Sequence, residues 1–141
     1  MAGTDSTPIY VKDDQYQSMV ADNAITLGNC VQITATGTDT CDVGAANTTF
    51  GGVAVGGDRF SRTATDNTVA AGAKVTVCRR GIVRVYTGAS AIVRGTLLEM
   101  GAAGIVEFNT TAGALVPGDV IGIALDPNGS AATTIRMLII G

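Results

Sequence analysis

The stretch that decides the fold is Ala73 to Tyr86, which reads Ala-Lys-Val-Thr-Val-Cys-Arg-Arg-Gly-Ile-Val-Arg-Val-Tyr. Valines alternate with polar residues on both sides of its centre, and this period of two predicts two strands that each bury one face. Arg79-Arg80-Gly81 separates the two runs, and Gly81 can adopt the positive φ that short hairpin loops often require. The sequence therefore predicts a β-hairpin here, and an all-β fold can be argued outward from it.

The composition of the 141-residue chain also favours an all-β fold. Apolar residues make up 46% of the chain, and a chain of this length buries about two-thirds of its unfolded surface, enough to form a hydrophobic core. The 19 glycines are spread along the sequence, a pattern typical of short strands joined by tight turns. We predict a single-domain β-barrel or β-sandwich over residues 9–141, preceded by an extended N-terminal arm over residues 1–8.

The chain repeats its own strand pattern after Gly88. Four segments of the second half match four segments of the first half in the same order: 92–98 matches 25–31, 104–108 matches 40–43, 122–125 matches 52–55, and 134–138 matches 74–78. Gly95 occupies the position of Gly28. Because the four segments recur in the same order, the sequence predicts two similar β units within one domain and not a solenoid of many repeats.

Three further segments have local patterns of their own. Residues 9–12 predict a short strand. Residues 15–27 contain few apolar positions, and their spacing predicts at most one helical turn. Asp126-Pro-Asn-Gly-Ser lies between two apolar runs and is the strongest turn signal in the chain. It predicts a hairpin that pairs residues 120–125 with residues 133–140.

The cysteines do not form a metal-binding pattern. Cys30, Cys41 and Cys78 lack CxxC spacing, and the chain contains no histidine. Structural zinc sites draw four ligands mainly from Cys and His, so we predict no metal site. Three reduced thiols are the simplest interpretation, and a Cys30–Cys41 disulfide that closes a small loop is the alternative.

The sequence carries no catalytic signature. Without histidine, neither a Ser-His nor a Cys-His pair can form, and neither lysine lies in a Ser-x-x-Lys motif. We therefore predict no catalytic residue, no cofactor and no enzymatic activity. The net charge of −3 disfavours a nucleic-acid partner, because such proteins neutralise phosphates with Lys and Arg. No apolar run reaches 18 residues and no signal peptide is recognisable, so we expect neither a membrane span nor export.

Two segments are candidate partner-binding sites. The N-terminal residues are small and polar, and we expect them to become ordered on a partner surface; they are Thr4, Asp5, Ser6, Thr7, Pro8, Ile9 and Tyr10. Arg79 and Arg80, with Arg84 and Arg94, form the basic cluster of the sequence. These arginines either dock an acidic patch of a partner or keep the end of the hairpin solvated and protected from mispairing.

Several motifs of glycine and aliphatic residues recur along the chain: Leu-Gly-Asn-x-Val at 27–31, Gly-Val-Ala-Val at 52–55, Ala-Gly-Ala-Lys-Val-Thr-Val at 71–77, Gly-Ile-Val-Arg-Val at 81–85 and Gly-Asp-Val-Ile-Gly-Ile-Ala-Leu at 118–125. With these motifs and a final apolar strand, residues 20–141 resemble the family of tailed-phage capsid decoration (cement) proteins and related uncharacterised phage head proteins. The resemblance implies a small β-rich protein on the exterior of the virion. It would bind the major capsid protein, often as a homotrimer, and reinforce the icosahedral shell.

Two other functions stay open at the level of sequence. An adhesion module on the virion surface would bind host glycans, for which Tyr10, Tyr16 and Tyr86 are the available stacking residues. A trimeric dUTP pyrophosphatase is also a glycine-rich β protein of about this length. Its Pro-Arg-Ser-Gly and Gly-Tyr-Arg-Gly segments are missing here, which makes it the less favoured of the two.

Overall fold

The computed structural model of the protein describes residues 15–57, 67–108 and 120–140. It confirms an all-β fold that contains a closed barrel. The strands are β1 (Tyr16–Ala21), β2 (Ile25–Thr26), β3 (Cys30–Ile33), β4 (Thr40–Val43), β5 (Phe50–Gly57), β6 (Thr68–Val69), β7 (Lys74–Cys78), β8 (Gly81–Tyr86), β9 (Leu97–Met100), β10 (Val106–Phe108), β11 (Gly122–Ala124) and β12 (Thr134–Ile139). The predicted arm over residues 1–8 and the predicted strand over residues 9–12 lie outside the described residues.

The first unit is a closed barrel with the strand order β1-β4-β3-β5-β7. A parallel pairing of β1 with β4 closes it, and its other pairings are antiparallel. Alternate residues of each strand point into the barrel, as the period of two requires. The core of the first unit consists of these inward residues, Met19, Ala21, Val31, Cys41, Ala54, Val75 and Val77, together with Ile25 and Val69 of the separate two-stranded sheet β2-β6.

The second unit is a five-stranded sheet with the order β10-β9-β11-β12-β8. Its two edge strands approach each other at one end, where a single parallel bridge joins Thr87 to Val106. In the first unit the equivalent seam contains two register pairs, Val20 with Thr40 and Ala21 with Cys41. The strands of the second sheet thus have the same spatial order as the equivalent strands of the barrel, but only one bridge closes the sheet.

The predicted repeat is confirmed by the pairing of the strands. β9, β10, β11 and β12 pair with one another as β3, β4, β5 and β7 do. Gly28 and Gly95 are equivalent, because both have positive φ, +100° and +89°. Their amides donate to equivalent carbonyls, that of Gly28 to Ala54 at 2.8 Å and that of Gly95 to Ala124 at 2.7 Å.

The two units share a hydrophobic core. Cys30, Val53 and Cys78 lie on the outer face of the barrel, yet they belong to the buried cluster of the second unit. A backbone hydrogen bond of 2.8 Å runs from the amide of Gly104 to the carbonyl of Gly44 and joins the units directly. The part of the outer wall that carries these three residues is therefore an internal surface of one folded body.

The predicted hairpin of β7 with β8 is wrong, although both strands form. β7 pairs with β1 and β5, so both of its edges are occupied before the chain reaches β8. β8 pairs with β12 in the other sheet. Gly81 does adopt the expected positive φ of +94°, but it turns the chain from the first unit into the second. A tight link between alternating runs looks the same in the sequence whether the chain folds back or crosses over.

The segment 15–27, for which the spacing predicted at most one helical turn, forms β1 and β2. Met19 and Ala21 alternate with more exposed neighbours and enter the barrel. β1 pairs along five residues with β7. A partner more than fifty positions away supplies this pairing, and local spacing carries no signal of it.

The predicted hairpin at the C-terminal end is confirmed. Gly122, Ile123 and Ala124 pair antiparallel with Ile139, Leu138 and Met137. The three cysteines are free and buried. Cys41 lies inside the barrel and Cys30 lies on its outer face, so the alternative of a disulfide between them is wrong.

Candidate interaction surface

The described residues do not assemble a metal centre. Across residues 15–57, 67–108 and 120–140, no group of three His, Cys, Asp or Glu side chains is placed to hold an ion. In the same part of the chain there is no helix of sufficient length and apolarity to span a membrane.

Burial makes the thiols inside the molecule poor nucleophiles. It raises the pKa of Cys30 to about 12, because a thiolate would lose its hydration there. Burial also raises the pKa of Cys41 to about 11, and the nearby carboxylates of Asp22 and Asp42 add to this effect. Since only the thiolate attacks, neither side chain is suited to covalent chemistry near neutral pH.

Asp126 and Arg136 form a two-pronged ion pair on the surface of the second unit. The Nε and Nη2 atoms of Arg136 donate to the two carboxylate oxygens of Asp126 at 3.0 Å and 2.9 Å. The backbone amide of Arg136 donates to the same carboxylate at 3.0 Å. These hydrogen bonds lower the pKa of Asp126 to about 2. The pair fixes the closing turn and leaves its charges largely balanced.

The candidate residues Arg79 and Arg80 lie in the link between the two units, and both are exposed. Nη1 of Arg79 donates to Oε1 of Gln17 at 3.0 Å, and its amide donates to the carbonyl of Gln15 at 2.8 Å. The thiol of Cys78 donates to the carbonyl of Arg80 at 2.9 Å. The backbone of this link is thus held in place, and it presents both guanidinium groups at the surface.

The other arginines of the predicted basic cluster lie on the second unit. Arg84 lies on β8 directly opposite Arg136, so it extends the basic surface along the second sheet. Arg94 is exposed in the segment before β9. The candidate residues of the N-terminal segment, Thr4 to Tyr10, lie outside the described residues.

Sequence reasoning missed the exposed apolar side chains of the second unit. Most of the large apolar side chains that the structure leaves exposed belong to this half: Ile82, Tyr86, Val93, Phe108 and Ile140. The most exposed on a strand is Ile82 at 58%. Its alternation with Val83 and Val85 was visible in the sequence. Which face becomes the core depends on the pairing with β12, and that pairing was not visible.

No protein-family model matches the chain, and no curated protein sequence matches it. Among solved structures, the head fiber gp8.5 N base of bacteriophage phi29 is similar, with a TM-score of 0.61 and 19% sequence identity. The match covers 89% of this chain and 92% of that chain. What the two share is the fold. Because the match covers most of both chains, it includes the barrel and the second sheet.

Proposed function

We propose that this protein is a structural component of a phage virion. It binds the outer surface of an icosahedral capsid and stabilises the shell by bridging subunits of the major capsid protein. The observation that carries the proposal is the likeness in fold to a phage head fiber base over 89% of the chain. The resemblance of residues 20–141 to capsid decoration proteins in sequence supports the same assignment.

The physical mechanism of such a protein is the linkage between binding and stability. A protein that binds the assembled shell, and binds its separated subunits less well, raises the free energy needed to take the shell apart. Many copies act together, so modest contacts at each site are sufficient. A rigid body with a continuous core across both units suits this role, because little ordering entropy is lost when it binds.

Two parts of the chain are proposed to contact the capsid. Arg79 and Arg80 project from the link between the units, and an acidic patch on a capsid subunit is their expected counterpart. The segment Thr4 to Tyr10 is proposed to lie across a neighbouring subunit and to add contacts there. A homotrimer would place three such sets of contacts around one symmetry axis of the shell.

The test is the thermal stability of capsids with and without the protein. Shells purified from particles that lack it are expected to rupture at a lower temperature than the same shells after the protein is added back. The variant with Arg79→Glu and Arg80→Glu is expected to fold normally and to occupy fewer sites on the shell. Equal rupture temperatures with and without the wild-type protein would overturn the proposal.

Adhesion to host glycans is the second candidate function. Tyr16 is 54% exposed on β1, and an exposed aromatic face is what sugar rings stack against. A glycan array separates the two candidates, because binding there that is lost in Tyr16→Ala favours adhesion over capsid reinforcement.

A further inference from the structure

Four apolar side chains stand next to one another across the second sheet. Ile82 pairs with Leu138, Leu138 with Ile123, and Ile123 with Leu97. We name these four residues the second-unit row. Neighbouring strands lie about 4.8 Å apart, so the row extends roughly 15 Å across β8, β12, β11 and β9. All four residues are at least partly exposed, because the alternate residues of the same strands form the core.

The first unit contains an equivalent row, and that row is a packing surface. Tyr16 pairs with Cys78, Cys78 with Val53, and Val53 with Cys30. Cys78, Val53 and Cys30 are at most 1% exposed, because they pack into the core of the second unit. In the first unit, this row of positions therefore already packs against another part of the same protein. In the second unit the same positions carry large apolar side chains that are partly open to solvent.

A second copy of the chain would not cover the second-unit row in the same way. The core of the second unit contains four apolar residues that have no counterpart in the core of the first unit: Val83, Met100, Ile121 and Ile139. The repeat places Gln17, Ile33, Gly51 and Arg79 at the equivalent positions of the first unit. These are mostly polar or small, so the first unit of a neighbouring molecule lacks the apolar surface that this packing needs.

The charges beside the row indicate the chemistry of its partner. Arg84 and Arg136 pair across β8 and β12 two residues from Ile82 and Leu138, and both are exposed on the same face as the row. Asp126 balances Arg136, which leaves an excess of one positive charge in this group of three. On the other side, Arg79 and Arg80 precede β8. At the opposite end of the row, Glu99 lies two residues from Leu97 on the same face of β9 and pairs with Glu107 of β10. The arginines therefore flank the β8 end of the row, and the two glutamates lie at its β9 end.

We infer that the second-unit row is the docking surface for the capsid, and that its counterpart on the shell is an apolar patch whose rim is acidic where it meets β8. This inference rests on the proposed binding to the capsid. The apolar row supplies the buried centre of the contact, and Arg84 with Arg79 and Arg80 supplies the complementary rim. The equivalent row of the first unit packs against the second unit and is not available to a partner. The first-unit row therefore holds the two units together, and the second-unit row is the one that docks.

The experiment measures the affinity of purified variants for capsid shells from particles that lack the protein. Ile82→Glu places a charge in the centre of the contact, and we expect affinity to fall by about tenfold or more. Arg84→Glu reverses the charge of the rim, and we expect a smaller loss that is relieved at high salt. The matched controls are Ile33→Glu, at an isoleucine that is 49% exposed on the first unit, and Lys74→Glu, at an exposed lysine on β7.

Circular dichroism and the mass of each variant in solution complete the experiment. Loss of affinity in Ile82→Glu and Arg84→Glu, with both controls binding like the wild type, supports the inference. If the wild type binds and all four variants bind equally well, the row is not the docking surface, although capsid binding stands. A change in oligomeric mass with unchanged capsid affinity would make the row a contact between copies and would overturn the inference. If the wild type does not bind, the proposed function fails and the inference fails with it.

Discussion

Among single residues, Asn128 has the clearest structural role, because its side chain holds the closing turn of the second unit in place. It is 5% exposed, and its Oδ1 accepts hydrogen bonds from the amides of Ile92 and Ser130 at 2.9 Å and 3.0 Å. Its Nδ2 donates to the carbonyls of Ser90 and Gly88 at 2.7 Å and 3.1 Å. One side chain thus satisfies backbone groups from two segments that are distant in sequence.

Replacing Asn128 by Ala is expected to lower the free energy of unfolding by about 3 kcal/mol, because buried backbone groups lose their partners. Urea unfolding followed by circular dichroism measures this change. Asn23→Ala is the control, since Asn23 is exposed and its side chain donates to the carboxylate of Asp42, and it should cost less than about 1 kcal/mol. Equal effects of the two substitutions would contradict the role given to Asn128.

The pair of Asp126 and Arg136 predicts a dependence of stability on pH. Because the pKa of Asp126 is lowered from 3.8 to about 2 on folding, the stabilisation is present above pH 3.8 and is lost as the pH falls toward 2. Asp126→Asn should therefore be less stable than the wild type at pH 7, and the difference should shrink toward zero near pH 2. Urea midpoints at a series of pH values measure it. Arg136→Gln should remove the same pH dependence, and a difference that stays constant with pH would refute this account.

At the scale of strands, the close approach of the two units depends on Gly104. Its φ is +73°, and a Cβ added there would lie 2.9 Å from the carbonyl oxygen of Cys30 on the first unit. Gly95 has a similar positive φ of +89°, but nothing lies within 4 Å of an added Cβ. The two glycines therefore separate the cost of the backbone conformation from the cost of forcing the units apart.

Gly95→Ala is expected to cost about 1 kcal/mol, which is the strain of a left-handed alanine. Gly104→Ala should cost this amount and about 1–3 kcal/mol more, because the backbone carbonyl of Cys30 cannot move aside without shifting a strand. Chemical denaturation of the two variants side by side gives the comparison. Similar losses in both variants would mean that the contact between the units adds little to stability.

Many of the strands could be predicted from the sequence, and the wrong predictions of strand pairing have a common cause. The period of two in the valine-rich runs identified β7 and β8, and the glycine positions identified the repeat, because both are local properties. The pairing of β7 with β1, and not with β8, depends on which edges are free after the barrel closes. The second-unit row was missed for the same reason, since its members meet only through cross-strand register.

At the scale of the whole molecule, the two units should unfold together. The outer wall of the barrel contributes Cys30, Val53 and Cys78 to the core of the second unit, so neither unit can open without exposing apolar surface of the other. We expect a single transition in calorimetry, with a calorimetric enthalpy equal to the van't Hoff enthalpy. Gly104→Ala should shift the whole transition. Two separate transitions would show that the units are independent domains.

We expect solvent to reach the backbone first at the seam between Thr87 and Val106. One parallel bridge closes the second unit, whereas two register pairs close the first. Opening events that stop short of global unfolding should therefore begin along β10 and the end of β8, and their amides should exchange with deuterium earlier than those of β5 and β7. In the proposed capsid-bound state, the second unit would adjust along this seam to small differences between binding sites while the barrel stays intact.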